Sequence, residues 1–189
     1  MEDEREIEDI FSNAEIQKKK KRKKADSGQK GKRTERNLGK ILQDRFGFEF
    51  SRSTGSGNKW GQCTFEALPQ HAKDTYSGDL ICPTNFEWVI ECKGGYNDTT
   101  LYTLIVRGQE CQIDEWIKDA IADGERSGRK PLLCWKKDRM PWLAMTPHKN
   151  LSKVKSNKMI YKHPTGNWIL LPLNSVLALD DSMFFKSAL

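Results

Sequence analysis

The sequence predicts an α/β protein in which a mixed sheet is flanked by helices. Three patterns indicate this class: an amphipathic segment near residue 40, short β-branched and aromatic runs around residues 80–93 and 131–145, and a second amphipathic segment near residue 117. In chain order they give helix, three strands, helix and strand, followed by extra strands. A chain of 189 residues accommodates one such domain with an appended tail.

The first predicted helix runs from about Thr34 to Phe46 and ends at Gly47. Its apolar face is formed by Leu38, Ile41, Leu42 and Phe46. Glu35 lies three residues before Leu38, so its side chain is on the same side as the core residues. Such an acid is either a capping carboxylate that the helix dipole favours or a site residue, and the helix pattern alone favours capping.

The remaining elements are predicted from shorter patterns. A strand over residues 48–52 precedes a flexible Gly/Ser loop, and residues 58–76 have no periodicity, which predicts a long loop. Ile113 to Ile121 form the second amphipathic helix, which is expected to end at Gly124. Further strands are predicted at residues 131–135 and 142–145, and a last hairpin at residues 159–161 and 168–171.

The segment Ser77–Gly95 contains the residue types of a metal-dependent hydrolytic site. Asp79 leads one short apolar run, a Pro-Thr-Asn turn signal follows it, and Glu91 and Lys93 lie in a second apolar run. In a strand, Glu91 and Lys93 share one face about 6–7 Å apart, and the alternate residues take the other face. A hairpin of the two runs would place Asp79 beside Glu91 and Lys93.

Two carboxylates suit Mg²⁺, a hard cation that takes oxygen ligands. The ion would lower the pKa of a bound water and orient a phosphate, while Lys93 would hold the attacking water or offset charge on the phosphorane. The alternative is a structural ion pair between Glu91 and Lys93 on a half-exposed strand. The hairpin alone leaves both interpretations open.

The charge of the chain favours a polyanionic partner. Its net charge is +6, and residues 17–24 read QKKKKRKK. We therefore expect a flexible charged arm at residues 1–30 and a folded domain at residues 31–189. The arm suits sequence-independent contact with DNA phosphates, and a nuclear localisation signal has the same composition.

The composition also argues against membrane and exported classes. The sequence has neither an apolar run long enough to span a bilayer nor a hydrophobic signal core at its N-terminus. Its five cysteines, an odd number without a Cys-x-x-Cys pair, are expected to be reduced, buried thiols. We therefore expect an intracellular protein with no membrane partner.

The element order and four short motifs resemble the PD-(D/E)XK nuclease superfamily, whose common core is αβββαβ. Asp79 and Glu91-Cys92-Lys93 stand where the residues of that motif stand, although Ser77-Gly78 replace the usual preceding Pro. Within the superfamily, the chain is most similar to archaeal-type Holliday-junction resolvases, which also occur in phages. Two motifs carry this second similarity: Lys30-Gly31 followed by Glu35-Arg36, and Arg52-Ser53-Thr54-Gly55-Ser56. The resemblance covers about residues 30–145 and departs from the family in the long segment 57–76 and in the extra tail.

The resemblance implies a restriction-endonuclease-like fold and a homodimer that nicks opposed strands of four-way or branched DNA in a bacterial or archaeal cytoplasm. It implies that the catalytic residues are Glu35, Asp79, Glu91 and Lys93. Mg²⁺, for which Mn²⁺ is expected to substitute, would be held by Asp79, Glu91, the Cys92 carbonyl and Glu35, without a small-molecule cofactor. DNA contacts are implied for Lys30, Arg36, Arg52, Ser53 and Ser56.

Three functions remain open at this point. The first is a structure-specific endonuclease for branched DNA, and the second is a related nuclease with another target, such as a restriction-like or repair enzyme. The segment before Asp79 would supply the readout of sequence or ends in the second case. The third is a non-catalytic nucleic-acid-binding protein with a decayed site, against which the intact set of four site residues argues.

Overall fold

The structure, a computed structural model, describes residues 27–53, 67–96, 98–100, 102 and 112–186. Its helices are α1 (Ser27–Phe46), α2 (Gln70–Tyr76), α3 (Gln112–Ser127) and α4 (Leu173–Leu177). Its strands are β1 (Ser51–Arg52), β2 (Leu80–Ile81), β3 (Trp88–Gly94), β4 (Lys130–Lys136), β5 (Leu143–Pro147), β6 (Met159–His163) and β7 (Gly166–Pro172). Short 3₁₀ turns lie at His148–Asn150 and Asp181–Met183.

Five of the strands form one mixed sheet in the order β3-β4-β5-β7-β6. The β3–β4 pair is parallel, with α3 between the two strands in the chain, and the other pairs are antiparallel. Strands β1 and β2 form a separate antiparallel pair. The predicted mixed sheet flanked by helices is therefore confirmed, and its arrangement is consistent with a restriction-endonuclease-like fold.

The alternation of side chains along β4 divides the core into two layers. Leu132 and Cys134 pack on one face with the apolar stripe of α1, whereas Leu133 and Trp135 pack on the other face with α3. Each of these side chains is at least 99% buried, which stabilises the fold by roughly 1.5–3 kcal/mol for each large aliphatic residue. A one-residue slip of β4 would exchange the two faces, so this burial fixes the register.

The predicted hairpin between the Asp79 run and the Glu91 run is wrong as a strand pairing, because β2 pairs with β1 and not with β3. After the predicted turn, Phe86 is buried with its ring 5.9 Å from that of Phe46, and its backbone bridges to Phe185. The chain therefore crosses the core before β3 begins. One backbone hydrogen bond, from Asp79 N–H to the Ile90 carbonyl (2.8 Å), holds the two runs together.

Four element boundaries also differ from the prediction. Helix α1 begins at Ser27 and not near Thr34. The strand expected at residues 48–52 is paired only at Ser51–Arg52, because its partner β2 has two residues. The loop expected up to residue 76 contains α2, a helix too short for its periodicity to be recognised. Helix α3 continues through Gly124 to Ser127, since a glycine inside a helix costs only about 1 kcal/mol and is a weak stop signal.

Three further expectations concern the N-terminal arm, the cysteines and membrane-spanning helices. The predicted arm lies outside the described residues except for its last four, which belong to α1, so the division at residue 30 stays a prediction. The described cysteines, Cys82, Cys92 and Cys134, are free and buried, as expected, while the other two are outside the described ranges. In the part of the chain that is described, no helix combines the length and apolar character needed to cross a membrane.

Gly78 allows the chain to pass close to β3 immediately before Asp79. Its φ is +76°, and a Cβ atom at this position would lie 2.7 Å from the Ile90 carbonyl oxygen. Gly128 has a similar φ of +65°, but a Cβ atom there would meet nothing within 4 Å. A side chain at Gly128 would strain only the backbone, whereas a side chain at Gly78 would add steric overlap to the same strain. Comparing substitutions at the two glycines therefore separates the two effects.

We expect Gly78→Ala to lower the free energy of unfolding by roughly 3 kcal/mol, because strain and overlap add. Gly128→Ala, the matched control, should lower it by about 1 kcal/mol, through strain alone. Urea unfolding followed by circular dichroism measures both values. Equal losses in the two variants would show that the approach of Asp79 to β3 tolerates a side chain.

Candidate active site

Asp79 is held in place by three hydrogen bonds that involve both its backbone and its side chain. Its N–H donates to the Ile90 carbonyl and its own carbonyl accepts from the Ser53 N–H, each at 2.8 Å. Its Oδ2 accepts from the Cys92 N–H, also at 2.8 Å. The carboxylate is therefore fixed beside β3 at the edge of the five-stranded sheet.

Glu91 and Lys93 lie on the same face of β3, as the alternation of the strand predicted. Lys93 Nζ is 2.6 Å from Glu91 Oε1, and a second carboxylate, Asp119 Oδ2 on α3, is 3.2 Å away. The side chain of Glu91 is 9% exposed and that of Lys93 is 18% exposed, whereas Asp119 is largely open to solvent. The ammonium group of Lys93 therefore lies between the buried carboxylate of Glu91 and the exposed carboxylate of Asp119.

Glu35 forms an ion pair with Arg52. This pair joins the sequence motif that contains Glu35 to the motif that contains Arg52. Arg52 Nε donates to Glu35 Oε2, and both side chains are mostly buried. The preference for a capping role was wrong, because α1 begins at Ser27 and Glu35 lies about two turns inside the helix. Helix α1 packs closely here: a Cβ atom on Gly94 would lie 2.7 Å from Thr34 Oγ1.

The acids of this cluster repel one another in a buried setting. Burial raises the pKa of Asp79 to about 6, the Cys92 N–H opposes the shift, and the charge of Glu35 adds to it. Burial and then the charge of Asp79 raise the pKa of Glu91 well above its ordinary value, while Lys93 opposes this. Both shifts mean that the ionised form of these two acids is disfavoured where they are buried.

Lys93 is held in its charged form. Burial opposes the ammonium, but the charge of Glu91 and hydrogen bonds to Glu91 and Asp119 outweigh it and raise the pKa of Lys93 above its ordinary value. A permanently protonated Lys93 can orient a water or offset negative charge, but it cannot accept a proton at neutral pH.

Two acids on α3 were not predicted from the sequence. Asp119 contacts Lys93, and Asp123 is 6% exposed, bonded to Arg126, and close enough for its charge to raise the pKa values of Asp79 and Glu91. Asp123 could have been recognised from the sequence as a buried acid, because it lies seven residues after Trp116 and therefore on the apolar face of α3.

The residues predicted to contact DNA do not all lie together. Lys30 is paired with Asp138 at 2.6 Å, Arg36 is exposed on α1, and Ser53 is fully buried. Arg52 is engaged with Glu35, and Ser56 lies outside the described residues. The structure therefore brings only Arg52 and Ser53 into the surroundings of Asp79.

The fit of a divalent cation can be judged from the donors. Within the described ranges, no group of three or more His, Cys, Asp and Glu side chains is arranged to hold a metal ion. Glu91 and Glu35 instead contact protein cations, Lys93 and Arg52. The donor chemistry nevertheless suits a hard cation, since Asp79 and Glu91 are carboxylates whose pKa values are raised by burial first and by neighbouring acids second.

Over residues 26–169 the chain matches the protein family described as "Phage putative PDDEXK endonuclease". Protein D14 of Escherichia phage T5 is 32% identical to it over 122 residues, which are 62% of this chain and 69% of that protein. No solved structure matches the chain. The range matched by the family contains Asp79, Glu91 and Lys93 as well as Glu35 and Arg52.

We expect Asp79→Asn to stabilise the metal-free protein at pH 8 but not at pH 4. The pKa of Asp79 rises from 3.8 to about 6 on folding, so the stability linked to its protonation is present below pH 4 and is lost as the pH rises through 6. Asparagine keeps an acceptor for the Cys92 N–H without the buried charge. The gain at pH 8 should be about 1–3 kcal/mol.

Thermal unfolding in EDTA at both pH values measures the effect. Asp44→Asn, a change at an exposed acid of α1, is the control and should be nearly neutral at both. Mg²⁺ should then raise the Tm of the wild type at pH 8 and leave that of Asp79→Asn unchanged. A loss of stability in Asp79→Asn at pH 8 would contradict the assignment of net repulsion to this cluster.

Proposed function

The chain belongs to the family of phage PD-(D/E)XK endonucleases, and on this premise we propose that it is a Mg²⁺-dependent, structure-specific DNA endonuclease. In this proposal it acts as a homodimer that resolves Holliday junctions or related branched DNA by paired nicks. We assign Asp79, Glu91 and Lys93 to the catalytic site, with Glu35 completing its acidic cluster.

The observation that carries the proposal is the pairing of Glu35 with Arg52 beside Asp79. These two residues come from the two N-terminal motifs on which the similarity to junction resolvases rests. They are 17 residues apart in the chain, yet their side chains are bonded. Backbone contact between Ser53 and Asp79 then joins this pair to the superfamily motif.

The energetics of the cluster argue against a decayed, non-catalytic site. Buried acids that repel one another lower stability, and a structural ion pair needs no neighbouring acids. Here burial and mutual repulsion raise the pKa values of both Asp79 and Glu91. Buried, mutually repelling acids are more typical of a functional site than of residues with a purely structural role.

The protein's own residues have distinct parts in the proposed hydrolysis. Asp79 and Glu91, with the Cys92 carbonyl and Glu35, would hold the divalent ion, which when bound polarises the phosphate and lowers the pKa of a water. Lys93, held as an ammonium, orients that water and offsets charge on the phosphate oxygens. Arg52, bonded to Glu35, positions that carboxylate, and we assign it a contact with the DNA backbone as well.

We expect Mg²⁺-dependent, symmetric paired nicks on a labelled four-way junction, and no comparable cleavage of linear duplex or single strand. A Y-fork in the same panel tests whether branching alone is sufficient. Denaturing gels of strands labelled in turn measure the cuts. The control is Asp79→Asn, which keeps the hydrogen-bond acceptor but removes the charge.

The other outcomes identify the other functions. Cleavage of linear duplex at a fixed sequence would replace junction resolution with a restriction-like activity. DNA binding without metal-dependent cleavage by the wild type would favour a non-catalytic role. Single, unpaired nicks would contradict action as a homodimer.

We expect Lys93→Gln to lower kcat by roughly 100-fold or more while changing DNA affinity little, because its charge acts mainly on the reacting phosphate. Single-turnover cleavage gives the rate, and binding in EDTA gives the affinity. Lys118→Gln, at an exposed position on the same α3 helix that carries Asp119, is the matched control. An unchanged rate in Lys93→Gln would reduce Lys93 to a structural partner of Glu91.

A further inference from the structure

A groove of about 690 Å³ lies between the first turns of α1 and the turn that joins β4 to β5. Five basic side chains line it: Lys30, Arg33, Lys136, Lys137 and Arg139. Asp138 is the one acidic side chain among the described lining residues. Residues from two separate parts of the chain thus form one basic surface.

The fold holds the two sides of this groove together. Lys30 Nζ on α1 is bonded to Asp138 Oδ2 on the turn at 2.6 Å. The Gly95 N–H donates to the Lys136 carbonyl at 3.0 Å, which ties the end of β3 to the end of β4. The basic side chains are therefore carried by a helix and a strand end that are fixed relative to each other.

The charge of the groove indicates the chemistry of its ligand. Five cations with one acid between them repel one another, and an anion relieves this repulsion. A phosphodiester backbone offers repeated negative charges at a spacing that several basic side chains can contact at once. A cationic ligand would instead meet five like charges and a single acid.

Trp142 contributes an aromatic side chain to the same groove. It lines the groove, is 92% buried, and has Lys136 Nζ 5.6 Å from its ring centroid. Its indole N–H has no hydrogen-bond acceptor among the described residues. The buried ring therefore forms part of the wall of the groove, with the Lys136 ammonium beside it.

The groove lies next to the candidate active site. Thr34 lines the groove and immediately precedes Glu35, and Gly95 lines it two residues after Lys93. A backbone that enters the groove is thereby brought to the same end of β3 as the acidic cluster.

We propose that this groove binds the sugar–phosphate backbone of duplex DNA beside the site of cleavage, an inference that rests on the proposed nuclease function. The contact is electrostatic and independent of sequence. Lys30 is shared between the DNA and Asp138, so Asp138 weakens binding.

The test measures binding of a short blunt DNA duplex by fluorescence anisotropy in EDTA, from about 50 to 200 mM salt. We expect the full chain with Arg33→Ala and Lys137→Ala together to bind roughly tenfold more weakly. The slope of log affinity against log salt should fall by about 2, since each lost phosphate contact removes close to 1. The control is Lys162→Ala, at an exposed position on β6, the far edge of the sheet.

Asp138→Asn supplies a variant with the opposite expected sign. It removes the single acid and releases Lys30, so the duplex should bind roughly threefold more tightly. Because gain of affinity does not follow from misfolding, this variant keeps the test decisive even if the double variant is unstable. Unchanged or weaker binding by Asp138→Asn, or an unchanged salt slope in a folded double variant, would overturn the proposal.

These experiments distinguish an error in the proposal that the groove binds DNA from an error in the proposed nuclease function. If the double variant loses duplex affinity and salt slope in EDTA while the wild type cuts no DNA with Mg²⁺, the groove stands and the nuclease function fails. If the wild type cuts junctions and the double variant binds like wild type, the nuclease function stands and the groove fails.

Discussion

Asp79 couples the two sheets, and the candidate site depends on this one residue's hydrogen bonds. Its N–H reaches Ile90 on β3, its carbonyl receives the Ser53 N–H next to β1, and its carboxylate receives the Cys92 N–H. The position of the acid is thus set by backbone on both sides. The same contacts place Arg52, and through it Glu35, at the edge of β3.

The electrostatics of the site follow from this placement. Fixing Asp79 beside β3 brings it near Glu91, Glu35 and Asp123, and burial then raises the pKa values of Asp79 and Glu91. Lys93, Arg52 and one backbone N–H offset part of the negative charge. The remainder lowers the stability of the protein, and in the proposed function a divalent cation would offset it, so stability and the proposed activity are opposed at the same atoms.

The sequence predicted the parts of the fold that have long, periodic patterns. Helices α1 and α3, the two faces of β3 and the last hairpin are present as expected. The pairing of β2 was not predictable, because a two-residue strand has no periodicity from which a partner could be inferred. Asp79 nevertheless lies beside the strand that carries Glu91, because its N–H donates to the Ile90 carbonyl and its carboxylate accepts from the Cys92 N–H.

The distribution of charge along α1 and β3 links catalysis to binding. An acidic site repels a polyanionic substrate, so a nuclease needs positive charge close to its carboxylates. In α1 the basic Lys30 and Arg33 come within one or two turns of Glu35. In β3 the acidic Glu91 lies four residues before Gly95, which lines the groove, and the basic Lys93 lies between them. The groove therefore offsets the repulsion of the acidic cluster without placing more cations inside it, where they would compete with a metal ion for the carboxylates.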